Sequence, residues 1–538
     1  MAVALCACAH GRRSDAPSGT ATIVTPEQVS PAVVYAPRSR ASLQYNGELP
    51  ASAEPTSDLV NALTGMVQRH ANALGQPPPG LDPRLCTVAE DMARLSGTGR
   101  PPPYRAIEFA LARYGVVEPS PQLVILRTRE GESLDHVVAE LERQIDSPLR
   151  SMPPRRVGAG SVSIGDGSMV VVLVLQQSFI DLEPVPRELA MGARVRLRGR
   201  VLDPYGTPEL FVTRPDGSTV KQTLSARAGH AFNGSVDCPA EGRQQVELIG
   251  TGARGPQVLA NFPVWCGIDA PSSVRIEMPN TGDVGVAETE QQIFDLVNRE
   301  RREFGLPPVA WDERAAEVAR GHSEDMRDND FVGHVSPSTG GPSDRARAAG
   351  LASPLLLENV AFAHSADEAH AGLMNSPGHR ANILNSEVTH VGIGVVMAAG
   401  GSNPELYATE LFTRVVGPVD LRSARTAVQR ALEAQRSRSK LAPLASDKAL
   451  DSLAQSFAVA LARSGGEAKP PSLERAARRY ATVTTEIVVV ADADRASSER
   501  LLRHGATAIG IGVAQGRHPQ LGDNAVYVVI MIGHRGSS

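Results

Sequence analysis

The sequence predicts an α+β protein of several domains, in which helix-and-sheet units are combined with one all-β module. Its 538 residues are more than one hydrophobic core usually holds, so roughly three or four domains are expected. A pattern of two helices, a Gly-x-Gly pair and a closing strand occurs three times along the chain. The predicted segments are an N-terminal linker (1–55), a first unit (56–182), a β-sandwich (183–279), a central unit (286–416) and a third unit (417–538).

The composition is that of an ordinary globular chain and argues against two classes of protein. The formal net charge is −5 and no block of Lys or Arg stands out, which argues against a nucleic-acid partner. No uninterrupted apolar run approaches the ~18 residues of a membrane-spanning helix. Aromatic residues make up only 4% of the chain, so the cores must be built mainly from Leu, Val, Ile and Ala.

The N-terminus has the shape of the end of a lipoprotein signal. The small residue Ala7 directly precedes Cys8, after a short apolar segment. This predicts export to the cell envelope or the extracellular space, with a lipid anchor on Cys8 at the membrane. A tail with two free thiols is the first alternative, and a metal clip of Cys6, Cys8 and His10 is the second. Residues 11–55 are rich in Ser, Pro, Ala and Thr, which is typical of a linker.

The repeated pattern begins with a pair of helices. Three stretches follow one course without a gap, namely residues 67–82, 297–312 and 432–447. Each begins in a helix and ends on an Asp that can cap a second helix. His322 lies on the apolar face of that second helix, where the other units have Met92 and Phe457. His322 is therefore predicted to face the core, whereas His370 lies on a polar stretch and is predicted to be solvated.

Each unit closes with a Gly-x-Gly pair and a strand. The pairs are Gly158/Gly160, Gly392/Gly394 and Gly510/Gly512. They lack the third Gly of a dinucleotide fingerprint, and a strand rather than a helix follows them. Glycines at such positions are typical of a close backbone approach, which we expect within the sheet.

Between the first and central units the hydrophobic pattern changes to short strands. They are predicted over residues 193–201, 210–213, 245–249 and 257–264, with Gly, Pro and Asp turns between them. This pattern predicts a β-sandwich of immunoglobulin-like type. Cys238 and Cys266 lie 28 residues apart in this module, and in an exported protein they are expected to form a disulfide. Two buried thiols are the alternative.

The central unit alone carries a series of short motifs that bear chemistry. In order they are Val-Asn-Arg-Glu-Arg (297–301), His-Ser-Glu-Asp-Met (322–326), Gly-His-Val-Ser-Pro (333–337), Asp-Arg (344–345), Glu-Asn-Val-Ala (358–361), Asn-Ser-Pro-Gly-His-Arg-Ala-Asn-Ile-Leu (375–384) and Val-Gly-Ile-Gly (391–394). In these motifs the unit resembles the bacterial branch of the CAP/SCP superfamily of cysteine-rich secretory protein-like domains. The resemblance implies an α-β-α sandwich with a central cleft. It also implies that the first and third units are degenerate CAP-like copies.

The resemblance assigns three residues to that cleft. In many members two His and up to two Glu converge there, and some members bind a divalent metal, often zinc. Carried over by position, the ligand-binding and metal residues are His334, His379 and Glu358. The position of the second carboxylate falls on Ser376, so that group is missing. The flanking units lack both histidines, although Glu486 aligns with Glu358.

The sequence favours a binding or scaffold protein of the cell envelope over an enzyme. The central unit has no Gly-x-Ser-x-Gly, no His-Glu-x-x-His and no cysteine, so nothing marks an activated nucleophile. The resemblance implies that the cleft binds a lipid or sterol-like molecule, a peptide or a cell-wall component. The alternative is a metal-dependent hydrolase that uses His334, Glu358 and His379 around zinc.

Overall fold

The structure is a computed structural model, which describes residues 32–47, 57–97, 101–151, 153–222, 224–226, 230–277, 284–398, 405–474, 479–502 and 505–534. Cys8, the predicted lipidation site, lies outside these residues, as does most of the predicted linker. Within them the chain mixes α and β structure: three four-stranded sheets pack against helices, and two further sheets form an all-β module. No helix in these ranges is long and apolar enough to cross a membrane.

The first unit follows two short strands, β1 (Ala32–Tyr35) and β2 (Gln44–Tyr45). Its elements are α1 (Asp58–Ala73), β3 (Gly80–Leu81), α2 (Pro83–Ser96), α3 (Tyr104–Tyr114), β4 (Gln122–Arg129), α4 (Leu134–Glu142), α5 (Asp146–Ser151), β5 (Arg156–Ser163) and β6 (Ser168–Gln176). The strands lie in the order β3-β5-β6-β4. Ser57 and Asp82 begin α1 and α2, because their side chains accept backbone N–H groups of the first turns.

An all-β module follows the first unit along the chain. Its strands are β7 (Ile180–Leu182), β8 (Val185–Pro186), β9 (Glu188–Leu189), β10 (Arg194–Val201), β11 (Gly206–Thr213), β12 (Thr219–Gln222), β13 (Ser225–Ala226), β14 (Ala231–Asp237), β15 (Gly242–Gly252), β16 (Gly255–Cys266) and β17 (Val274–Glu277). The sheets β13-β14-β10-β7 and β12-β11-β15-β16-β9 share one hydrophobic core. Cys238 and Cys266 are bonded, with Cα atoms 5.5 Å apart, so the predicted disulfide is confirmed.

The central unit has helices on both faces of its sheet. Its elements are α6 (Val286–Glu303), β18 (Ala310–Trp311), α7 (Glu313–Asp328), α8 (Pro342–Ala348), β19 (Leu356–Ala363), α9 (Ala366–Asn375), α10 (Pro377–Ile383), β20 (His390–Ala398) and β21 (Glu405–Thr413). On β21, Leu406 and Phe412 pack into the core with α6 and α9, whereas Leu411 packs against Ala315 and Ala319 of α7. This alternation follows from the two-residue period of a strand.

The third unit has the same strand order as the other two. Its elements are α11 (Leu421–Arg438), β22 (Ala445–Ser446), α12 (Lys448–Ser464), β23 (Thr482–Val490), two 3₁₀ turns (Ala493–Arg495 and Glu499–Leu502), β24 (Ala506–His518) and β25 (Gly522–His534). The order β22-β24-β25-β23 repeats that of β18-β20-β21-β19. Asp82, Asp312 and Asp447 cap α2, α7 and α12, as the sequence predicted. That the flanking units are degenerate CAP copies stays a prediction.

The Gly-x-Gly pairs lie where a strand crosses the second helix of its unit. A Cβ on Gly392 would overlap the backbone of Ala315 and Ala316, and a Cβ on Gly394 would overlap Arg320. The pairs in the other two units meet α2 and α12 in the same way. A close backbone approach was predicted correctly, but it joins strand to helix rather than strand to strand.

Candidate ligand-binding cleft

His334, Glu358 and His379 converge from three different elements of the central unit. His334 lies in the loop between α7 and α8, Glu358 on β19, and His379 in the first turn of α10. His334 Nδ1 is 3.0 Å from Glu358 Oε1, and the ring centroids of His334 and His379 are 6.2 Å apart. The structure thus brings together the three residues that the sequence singled out.

Arg345 on α8 holds the carboxylate of Glu358 from the other side. Its Nη2 lies 2.5 Å from Glu358 Oε2, and its Nη1 donates to the carbonyl oxygens of His334 (3.1 Å) and Gly340 (2.7 Å). Burial alone would raise the pKa of Glu358, but the hydrogen bond from His334 and the charge of Arg345 outweigh it and hold that pKa below its usual range. Glu358 is therefore ionised at neutral pH and accepts a hydrogen bond from Nδ1–H of His334.

The turn that carries His379 is tied to β19. The hydroxyl of Ser376 accepts the backbone N–H of His379 at 3.4 Å and caps α10. Asn359 donates to the carbonyl of His379, and Asn382 donates to the carbonyl of Glu358, both at 3.2 Å. Burial, with a smaller contribution from the facing imidazole, lowers the pKa of His379 to about 3. The ring is therefore neutral near pH 7 and can act as a lone-pair donor.

Two further histidines of the unit are buried. His322 is fully buried and its Nε2 lies 2.9 Å from the carbonyl of Gly333, so the predicted core position is confirmed. His322 also lies 3.9 Å from Glu358, a proximity that the apolar-face pattern did not indicate. His370 is only 4% exposed and its Nε2 lies 3.9 Å from Glu300 on α6. The prediction that His370 is solvated is wrong, because α9 packs this residue against α6.

The flanking units lack the carboxylate at the equivalent place in their sheets. In the central unit, Glu358 lies across β21 from Gly392. The residues across from the corresponding glycines of the first and third units are Leu123 and Thr485. Glu486 lies one residue further along its strand, so its side chain leaves from the opposite face of the sheet. The sequence alignment of Glu486 with Glu358 is therefore wrong by one position.

Two residues outside the central unit also contact this site, and neither was predicted from the sequence. Glu247 on β15 accepts a hydrogen bond from Ser376 at 2.5 Å. The carbonyl of Arg254, in the turn between β15 and β16, accepts the backbone N–H of His334 at 2.9 Å. No local pattern marks either residue, because only the packing of two domains brings them to the cleft. Arg345, by contrast, belongs to the Asp-Arg motif (344–345), but the sequence did not indicate its role.

The two imidazoles fit a divalent metal ion better than the full trio does. Metal-binding histidines commonly donate their other ring N–H to a carboxylate, as His334 does to Glu358. Both oxygens of Glu358 are engaged, one by His334 and one by Arg345, whose positive charge opposes a cation at that oxygen. Within the described ranges, no group of three or more His, Cys, Asp or Glu side chains is arranged to hold a metal ion.

Two proteins of Bacillus subtilis are similar to part of this chain. An uncharacterized membrane protein YlbC of Bacillus subtilis (strain 168) is 43% identical over 108 residues, which are 20% of this chain and 31% of that protein. An uncharacterized protein YkwD of the same organism is 38% identical over 112 residues, which are 21% of this chain and 44% of that protein. The chain thus spans less than half the length of these curated relatives.

One similar solved structure is an extracellular protein containing a SCP domain from Bacillus anthracis str. Ames. It is 23% identical, with a TM-score of 0.22, and the match covers 41% of this chain and 78% of that one. Residues 294–413 match the model of the cysteine-rich secretory protein family, CAP. The resemblance predicted from the motifs is confirmed for this part of the chain: residues 294–413 are a CAP/SCP domain.

Proposed function

We propose that this chain is an exported protein of the cell envelope whose CAP cleft binds a ligand and catalyses no reaction. One observation carries the proposal: the rings of His334 and His379 lie beside each other, and among the residues that the structure describes no hydrogen bond joins either ring to a hydroxyl. His334 and His379 lie 6.2 Å apart between ring centroids, and Glu358 holds His334 from behind. Such a pair can offer ring nitrogen atoms to a ligand or to a cation.

The same geometry gives less support to a hydrolase. A hydrolytic serine needs a hydrogen bond to a base. Ser336 instead bonds Ser338, and Ser376 donates to Glu247. Within the described residues, the hydrogen bonds of these hydroxyls therefore lead away from the two imidazoles. A metal-dependent hydrolase would use a metal-activated water as its nucleophile and would need no serine. It is therefore the second candidate.

Zinc, or another divalent cation, is the small ligand that we propose for the cleft. His334 and His379 would hold it through their free ring nitrogens, while Glu358 orients His334 and Arg345 fixes Glu358. When bound, the ion would supply a positive centre to which an anionic or carbonyl group of a larger ligand can bind. The larger ligand that we propose is a lipid or sterol-like molecule, a peptide or a cell-wall component.

The remaining units would serve this binding function. We propose that the first and third units are degenerate CAP-like copies that keep the fold and lack the histidines. A lipid anchor on Cys8 would hold the chain at the membrane surface, with the CAP domain presented by the units around it. That location is supported by the small residue before Cys8 and by the disulfide Cys238–Cys266, because disulfides persist in oxidising compartments.

The test is zinc titration and native mass spectrometry of the full chain. His334→Ala with His379→Ala should abolish zinc binding and release any co-purifying ligand, while the CAP domain stays folded. The matched control is His136→Ala with His364→Ala, which removes two exposed histidines and should bind as the original chain does. A double mutant that stays folded and binds zinc as the original chain does would refute the site, and one that unfolds would mean that the histidines hold the fold.

A further inference from the structure

A hairpin of the β-sandwich packs on the loop that carries His334. Strands β15 and β16 form this hairpin, and Arg254 lies in its turn. The carbonyl of Arg254 accepts two backbone N–H groups, from His334 at 2.9 Å and from Val335 at 3.0 Å. Its guanidinium lies over the ring of Phe331, 4.1 Å from the centroid. The backbone on both sides of His334 is therefore fixed by a residue of another domain.

The same hairpin reaches the turn that carries His379. Glu247 is fully buried, and its carboxylate accepts the hydroxyl of Ser376 at 2.5 Å and the N–H of Gly378 at 2.8 Å. The hydroxyl of Ser376 in turn accepts the N–H of His379 at 3.4 Å. A continuous set of hydrogen bonds thus runs from the sandwich to the backbone of His379.

Stability alone does not explain a carboxyl group at the position of Glu247. Burial raises the pKa of Glu247 to about 7, and Ser376 and Gly378 are the groups that oppose this rise. Burying a carboxyl group costs free energy that an apolar residue at the same position would not cost. The directed contacts of Glu247 with Ser376 and Gly378 are what an apolar side chain could not supply.

From these contacts we propose that the β-sandwich is a wall of the CAP cleft. In this wall, Arg254 positions His334 and Glu247 positions His379. Glu247 acts as a positioning residue, because it reaches His379 only through Ser376 and Gly378. The cleft is then a composite of two domains, and its ligand contacts depend on the sandwich. This inference rests on the proposed binding function of the cleft, but its structural part can be tested without any ligand.

We expect the two domains to stay joined when Glu247 is altered, because other contacts hold the same interface. Arg243 donates to the side chain of Asn375 at 2.8 Å, and Asn261 donates to the carbonyl of Asn375 at 3.2 Å. A substitution of Glu247 therefore tests the position of the α10 turn rather than the docking of the domains.

The experiment compares three variants of the full chain, each with isotopically labelled histidine rings. Glu247→Leu removes both hydrogen bonds, whereas Glu247→Gln can still accept from Gly378 and donate to Ser376. Leu248→Ala is the matched control, because Leu248 lies next in the strand and points into the sandwich core. Zinc alone is the binding probe.

We expect Glu247→Leu to shift the ring signal of His379 and to weaken zinc binding about 10- to 100-fold, as loss of a supporting hydrogen bond typically does. Glu247→Gln should restore both readouts, and Leu248→Ala should change neither. An unshifted His379 signal in Glu247→Leu, or tighter zinc binding by this variant, would overturn the proposal. The hairpin would then pack beside the cleft without positioning His379. If the original chain binds no zinc, the proposed metal site fails, and the ring signals still decide whether Glu247 positions His379.

Discussion

Replacement of Arg345 by Met should destabilise the CAP domain in a pH-dependent way. Arg345 pairs with Glu358 inside the cleft, where their side chains are 5% and 2% exposed. The substitution keeps most of the side-chain volume and removes the charge. Glu358 is then left with His334 as its hydrogen-bond partner on one side only.

The expected magnitude follows from the contacts that are lost. Removing one partner of a buried ion pair typically costs about 3–5 kcal/mol. Here that loss is limited, because Glu358 can take up a proton and become neutral. For a carboxyl group with the ordinary pKa of 4.5, protonation at pH 7 costs about 3.4 kcal/mol, at 1.36 kcal/mol per pH unit. The two carbonyl hydrogen bonds of Arg345 add about 1 kcal/mol each. We expect a loss of about 3–5 kcal/mol at pH 7 and below about 3 kcal/mol near pH 5.

Native-state hydrogen exchange is the suitable assay, because it reports the opening of each domain separately. Peptides from α7 and β20 report on the CAP domain, and peptides from α12 and β24 of the third unit serve as the internal reference. The double variant Arg345→Met with Glu358→Leu should recover most of the loss, because it leaves no unpaired charge. A loss below about 1 kcal/mol at pH 7, without pH dependence, would show that the pair does not hold the cleft.

Two further predictions concern the sandwich. Burial raises the pKa of Glu247 from 4.5 to about 7, so between these pH values the native state binds a proton that the unfolded chain does not bind. The free energy of unfolding should therefore fall as the pH rises from about 4.5 to about 7, by up to about 1.36 kcal/mol per pH unit. Glu247→Gln should flatten this dependence in hydrogen exchange of residues 376–384, and an unchanged profile would contradict the assignment. Cys238→Ser with Cys266→Ser should lower the stability of the sandwich by roughly 3–4 kcal/mol, because the bond closes a loop with a sequence separation of 28. Thermal unfolding followed by fluorescence of the neighbouring, buried Trp265 measures the loss, and equal melting of both forms would refute it.

The sequence predicted what is encoded locally. The Asp caps of α2, α7 and α12, the glycines that cross these helices and the disulfide all follow from short patterns. The predictions that were wrong depend on tertiary packing. His370 occupies a polar stretch of sequence, yet α9 presses it against α6. Glu486 is one residue out of register, and in a strand one residue changes the face of the sheet.

The residues that complete the cleft could not be found from the central unit alone. Asn375, directly before the turn of His379, contacts two other domains. Its side chain contacts Arg243 of the sandwich at 2.8 Å and Glu108 of α3 at 3.2 Å, and its carbonyl accepts from Asn261 of the sandwich at 3.2 Å. The first unit and the sandwich therefore both pack on the segment that leads into His379. A unit that lacks the histidine pair of the cleft thus contacts the segment that leads into His379, through Glu108 of its helix α3.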